Sequence, residues 1–213
     1  MNIFSVLAHE AAKLESELNR SQPPGGGASK HETWCQKLLG PQVEKAWSDL
    51  AADNAVKWDK PTELELGWYT ASGERRARPD FAFRAKHNKL VGLVEMKGAY
   101  AVSPHFGAGN SWHYAFHRWG TIGKGVCKDC TRLRKAQNRG IPAGLVVIAI
   151  GTTPGEAQPG CHPIGRFERR LTRILKEEAA MRPVARPKSS GRTGKRTDDD
   201  WVRIRVFRFP KPR

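Results

Sequence analysis

The chain has 213 residues, 38% hydrophobic and 27% charged, a composition that suits a globular domain with a sizeable core. Its 37 Lys and Arg against 21 Asp and Glu leave a formal charge of +16, which favours a polyanionic partner, with nucleic acid the commonest. No apolar run approaches the ~20 residues of a membrane-spanning helix, so a membrane-spanning helix is excluded and no membrane partner is expected.

The opening segment MNIFSVLAHEAAKLESEL lacks the basic start, apolar centre and small-residue cleavage site of a signal peptide. A cytoplasmic location is therefore expected. Ile3, Val6, Leu7, Ala11, Leu14 and Leu18 recur at helical spacing and predict an amphipathic helix over residues 2–19. The run SQPPGGGAS at 21–29 breaks it and reads as a flexible linker. Residues 30–54 predict a second helix, with Trp34, Leu38, Val43, Trp47 and Leu50 on its buried face and a break at Gly40-Pro41, where proline can start a new helix.

Strands follow. Residues 62–69 alternate and end at the turn signal Ala71-Ser72-Gly73, and residues 76–84 return, which predicts a hairpin. Residues 90–97 form a third, more apolar strand after the turn Lys86-His87-Asn88-Lys89. The stretch 98–120 reads as irregular, rich in glycine, histidine and aromatics. Residues 124–139 predict a basic helix stopped by Gly140. Residues 143–150, AGLVVIAI, have the continuous apolar character of a strand buried on both faces. A helix over 164–181, a basic Pro/Gly-rich flexible loop over 182–200 and a final edge strand over 201–209 complete the chain. On that last strand Arg203 and Arg205 share one face, suited to phosphate contact or to solvation, and Val202, Ile204 and Val206 the other. This reading divides the chain into an N-terminal helix (1–20), the linker (21–29), a core (30–181), the basic loop (182–200) and the edge strand (201–213).

The residues with chemistry lie in the hairpin and the third strand. Arg78-Pro79-Asp80-Phe81 is followed by Val94-Glu95-Met96-Lys97. Antiparallel neighbours can bring Asp80 and Glu95 to one end of the sheet, and Glu95 and Lys97, two apart, point to the same face. An ionisable pair at the end of an apolar strand costs several kcal/mol unless it is paired or binds an ion. Two carboxylates can hold Mg²⁺, with Mn²⁺ a possible substitute, against a scissile phosphate. The Met96 carbonyl is a further candidate ligand, and Lys97 can orient the attacking water and stabilise the charge that develops.

Pro79-Asp80 with Glu95-Met96-Lys97 resembles the PD-(D/E)xK nuclease superfamily, the group of many restriction endonucleases and junction resolvases, and the resemblance covers residues 30–150. It implies an α/β fold with a restriction-endonuclease-like αβββαβ core, a mixed central sheet flanked by helices. It also implies a Mg²⁺-dependent endonuclease acting on DNA, of restriction or defence type, with a junction resolvase or a non-catalytic nucleic-acid-binding module on the same fold as alternatives. Asp80 and Glu95 would hold the metal and Lys97 the water. Glu44, on the helix before the strands, would assist, with Glu32, Asp49 and Asp53 as rivals. The basic helix would turn Lys124, Lys128, Arg132 and Lys135 toward the site or the DNA backbone, and Asp129 within it could steer Lys97. A homodimer is expected, because two strands need two centres. Gln137 has no tyrosine at the spacing of RecB-like members, so that branch is not favoured.

The segment 104–125 follows the candidate lysine, and its His113 and His117 could contact bases or help orient water. An H-N-H centre in this segment would need a strand pair packed on a helix, and no strand pair is evident. Cys127 and Cys130 form a C-x-x-C pair without a matching second pair near Cys161-His162. They are read as buried, reduced thiols rather than a zinc site.

Overall fold

The computed structural model describes residues 2–20, 28–50, 57–59, 66–71, 77–85, 89–100, 116–117, 121–122, 124–150, 164–185 and 202–210. The helices are α1 (Ile3–Leu18), α2 (Ala28–Leu50), α3 (Lys124–Asn138) and α4 (Ile164–Ala179). The strands are β1 (Lys57–Asp59), β2 (Phe81–Arg84), β3 (Leu90–Tyr100), β4 (Phe116–His117), β5 (Thr121–Ile122), β6 (Ala143–Ile150), β7 (Arg182–Pro183) and β8 (Val202–Arg208). Five strands and the two-residue segment β7 form a mixed sheet in the order β1-β2-β3-β6-β8-β7.

The apolar segment AGLVVIAI becomes β6, an interior strand parallel to β3 and antiparallel to β8. Its alternate side chains enter two separate cores. Leu145 and Val147 pack under α3 and α4 with Leu133, Leu171 and Leu175. Val146 and Ile148 pack under α1 and α2 with Leu7, Leu39 and Val43. Helices therefore cover both faces, as a sheet with two apolar sides requires. The α1 helix starts at Asn2, whose side chain accepts from the Ser5 N–H at 3.0 Å, a standard cap for an otherwise unsatisfied donor. Gly140, at φ 72°, ends α3. Its N–H donates to Gln137 and the Ile141 N–H to Ala136, the paired bonds of a Schellman stop.

Several expectations are corrected. The first strand is Lys57–Asp59, pairing with β2, whereas Leu66–Tyr69 makes a turn closed by the Tyr69 N–H on the Leu66 carbonyl, 2.8 Å. Residues 62–65 lie outside the described residues. The second strand is shorter than expected, because Pro79 has no N–H for the ladder. The third is longer, running to Tyr100 through residues read as irregular. The α2 helix continues through Gly40-Pro41. An internal proline costs about 3 kcal/mol, but Leu39 and Val43 are both buried on the sheet, so packing on either side of Pro41 holds the helix together. A short strand pair, β4 with β5, does precede α3. Helix α3 contains no histidine, so the donors of an H-N-H centre are absent from it.

Arg203 and Arg205 are corrected most fully. Both are buried. Arg205 pairs with Glu168 of α4 and with Glu15 of α1, the latter at 2.7 Å, and Arg203 lies 3.9 Å from Glu15. They face neither solvent nor phosphate.

Gly144 marks the closest approach of α1 to β6. A Cβ there would run into the Phe4 ring and lie 2.6 Å from the Phe207 carbonyl oxygen. The ring can swing, but the carbonyl belongs to the neighbouring strand. Gly144→Ala should destabilise the protein by about 1–3 kcal/mol, read as a lower urea midpoint at unchanged slope.

Candidate active site

Side-chain alternation sets the site. Ala82 and Leu93 face α3 and α4, whereas Phe81, Val94 and Met96 face α1 and α2. By the same alternation Asp80, Glu95 and Lys97 all face α3. The register Phe81↔Val94, continued outward, sets Pro79 across from Met96. With no proline N–H to donate there, the ladder ends, and the Asp80 carboxylate accepts the Met96 N–H instead, at 2.6 Å. Asp80 is thereby fixed beside the strand that carries Glu95.

Helix α3 supplies the other half. Asp129 Oδ2 lies 3.2 Å from Lys97 Nζ, an ion pair between helix and strand. Arg132 Nη1 lies 2.9 Å from Asp129 Oδ1 and 3.6 Å from Glu95 Oε1. Glu95 and Asp129 are each 2% exposed, so both are charges withdrawn from water. Burial first, then the neighbouring Asp80 and Asp129 carboxylates, push Glu95 well above the usual carboxylate range, against Arg132 and Lys97. Burial pushes Asp129 up to about 6, opposed by Lys97 and Arg132. Tyr69, fully buried in the turn that replaced the expected strand, is raised by burial and by the adjacent Glu95 carboxylate.

These shifts predict a pH dependence. A carboxyl raised by folding holds its proton more tightly folded than unfolded. Its contribution to stability is present below the unfolded value of 3.8 and is lost as pH rises through about 6. For Asp129 that is on the order of 3 kcal/mol. In EDTA, stability should fall between pH 4 and 6.5, and Asp129→Asn should flatten the fall. A denaturation series across pH measures it.

Of the other expected residues, Lys128 and Lys135 are exposed on α3. Arg132 is turned inward onto the site carboxylates. Lys124 begins α3 and His117 lies in β4, while His113 falls outside the described residues. Glu44 is half-buried on α2. That helix packs on the opposite face, and among the described residues no hydrogen bond or ion pair brings Glu44 to Asp80, Glu95 or Lys97. Cys130 is buried, its thiol pushed up to about 12 chiefly by burial, and Cys127 is exposed rather than buried.

Among the described residues, no group of three or more His, Cys, Asp or Glu side chains is placed to hold a metal. The oxygen donors present are Asp80, Glu95 and the Met96 carbonyl. They fit Mg²⁺, which is commonly held by one or two carboxylates with water and substrate oxygens completing its shell. The crowding of buried carboxylates around Glu95 is also what a cation would relieve. Tyr69 and Arg132 are the two members of this group whose place the sequence did not reveal. Tyr69 was hidden in an alternating stretch and Arg132 among the five basic residues of one helix. No protein-family model, no curated protein and no solved structure matches the chain.

Proposed function

We propose that the chain is a metal-dependent nuclease of the PD-(D/E)xK type that hydrolyses DNA phosphodiesters. The observation that supports this best is the gathering of Asp80, Glu95 and Lys97 on one sheet face, with Asp129 and Lys97 in direct contact. Mg²⁺ bound there would polarise the phosphoryl oxygen and lower the pKa of a water. Asp80 and Glu95 would hold it, joined by the Met96 carbonyl. The ammonium of Lys97, fixed by Asp129, would orient the attacking water and meet the charge that develops on the phosphate oxygens. Arg132 partly neutralises Glu95 and Asp129 and keeps both carboxylates in place. A restriction or defence role, and a homodimer that cuts both strands, belong to the same reading.

The test is cleavage of plasmid and branched DNA in Mg²⁺ or Mn²⁺ against EDTA, for the wild type and for Asp80→Ala and Lys97→Ala. Metal-dependent cutting lost in both variants is the expected result, and the product pattern separates restriction from junction resolution. Cutting in EDTA, or undiminished cutting by either variant, would reject the assignment of these residues. Salt-sensitive binding without any cutting would point to a binding module.

A further inference from the structure

Beside the carboxylate group, α3 and the Leu66–Ala71 turn enclose a cleft of about 500 Å³ lined by Gly67, Trp68, Thr70, Lys135, Asn138 and Arg139. Among the described residues no acidic side chain lines it. Its two cations are exposed, Lys135 on α3 and Arg139 one residue past its end. Arg132 and Lys135 of α3, and Arg139 just past its end, fall at i, i+3 and i+7, on one side of the helix. The cleft therefore lies along α3 from the residue that touches Glu95 and Asp129, over about 10 Å of helix at 1.5 Å per residue.

The opposite wall is tied to the same centre. The Trp68 ring meets Tyr69 edge to face, with centroids 5.8 Å apart, and Tyr69 is the phenol beside Glu95. The Arg139 guanidinium lies 4.8 Å above the Trp68 ring. That stacking fixes a long side chain on a flat support and leaves its N–H edge for an anion, so less side-chain freedom is lost on binding. Asn138 and Thr70 add neutral hydrogen-bonding groups. Two cations, two neutral polar groups and an aromatic plate are complementary to a phosphodiester and its nucleoside.

We infer that this cleft is the track for the DNA strand flanking the scissile phosphate, with a backbone phosphate seated between Lys135 and Arg139. The inference rests on the nuclease reading for its orientation, but binding alone can test it. A second cleft, which shares Lys135 and Asn138 and is otherwise lined by Cys127, Thr131, Arg134 and Glu178 among others, carries a carboxylate and suits a phosphate less well.

The experiment compares two double variants that remove equal charge. Lys135→Ala/Arg139→Ala empties the cleft of its cations, and Arg173→Ala/Lys176→Ala removes two exposed cations of α4. Binding of a short fluorescein-labelled DNA duplex is followed in EDTA, where the strands stay intact, across a salt series. The cleft variant should bind about tenfold or more weakly at low salt. Its log K against log [salt] slope should be shallower by roughly 0.9, the figure for one lost phosphate contact, while the α4 variant stays near the wild type. All four positions are exposed, so both variants should keep the wild-type melting temperature. Conservative Lys135→Arg/Arg139→Lys should restore the slope. Equal effects from both double variants, no effect from either, or no binding by the wild type would overturn the inference. Cleft-dependent binding by a wild type that cuts nothing would leave the cleft standing and reject the nuclease reading. Metal-dependent cutting with a KM that the cleft variant does not raise would do the reverse.

Discussion

Replacing Asp80 with alanine is expected to lower metal-dependent cleavage by about 10³-fold or more. A metal ion supplies several kcal/mol of transition-state stabilisation, and each 1.4 kcal/mol or so is tenfold in rate. Asp80 also holds the Met96 N–H, so the alanine variant mixes a chemical loss with a structural one. Asp80→Asn separates them, because its side-chain carbonyl can still accept from Met96 while the charge is gone. The asparagine variant should melt close to the wild type and still lose most of its activity. Lys97→Ala should cost about 10²–10³-fold, the usual range for one donor aimed at developing charge. The loss should fall on kcat, since the lysine's interaction strengthens only in the transition state. Single-turnover rates on one plasmid substrate, with melting curves beside them, measure both. A Lys97→Ala enzyme altered only in KM would remove this residue from the chemistry.

The second large effect concerns stability, far from that centre. Glu15→Ala should cost about 3–5 kcal/mol, the range for a buried ion pair stripped of one member. That is a large part of the ~5–15 kcal/mol that holds a domain folded. Glu15 Oε2 accepts from Arg205 Nη1 at 2.7 Å and from the Ile204 N–H at 2.6 Å. The substitution would therefore leave a guanidinium and a backbone donor poorly satisfied in the interior. Glu15→Gln should lose less, because the amide oxygen can keep the Ile204 bond. Replacing Glu15, Glu168 and Arg205 together with apolar residues of similar size should recover much of the loss, since the desolvation cost disappears with the charges. Urea denaturation of the four proteins tests this. A Glu15→Ala variant within 1 kcal/mol or so of wild type would contradict the pairing.

Much of this architecture was legible where side chains respond to their immediate surroundings. The apolar run 143–150 could only be an interior strand, and Gly140 could be read as a helix stop from its freedom at positive φ. Asp80, Glu95 and Lys97 could be placed on one face by parity alone. Distant partners were not legible. Alternation in VRIRVFR separates two faces but cannot say that the arginine face is closed by Glu15 and Glu168, which lie far away in the chain. The chain at 62–69 has strand-like alternation, yet Leu66–Tyr69 closes a turn that seats Tyr69 against Glu95 and sets Trp68 along the cleft. Glu44 was chosen by its interval from the hairpin, and an interval does not tell which sheet face a helix will cover.

The meeting of α1 with β8 has a consequence for how the chain acquires its structure. The outer edge of β8 is paired by β7 at Phe207 and Arg208, and just beyond it the Val184 N–H reaches the Val206 carbonyl. Farther along, Asn19 bonds both backbone groups of Val202, and Glu15 takes the Ile204 N–H. Side chains of a helix thus finish an edge that another strand would otherwise cover, which also guards it against pairing with a foreign chain. These contacts join residues more than 180 positions apart, so their loop-closure cost is met late in folding. During synthesis α1 is made well before β8, so it can settle only against α2, β3 and β6 until residue 208 has been made. Glu15 is the point at which an early helix waits for a much later strand, and an interruption of synthesis before β8 would leave part of the apolar face of α1 open to chaperones or to aggregation.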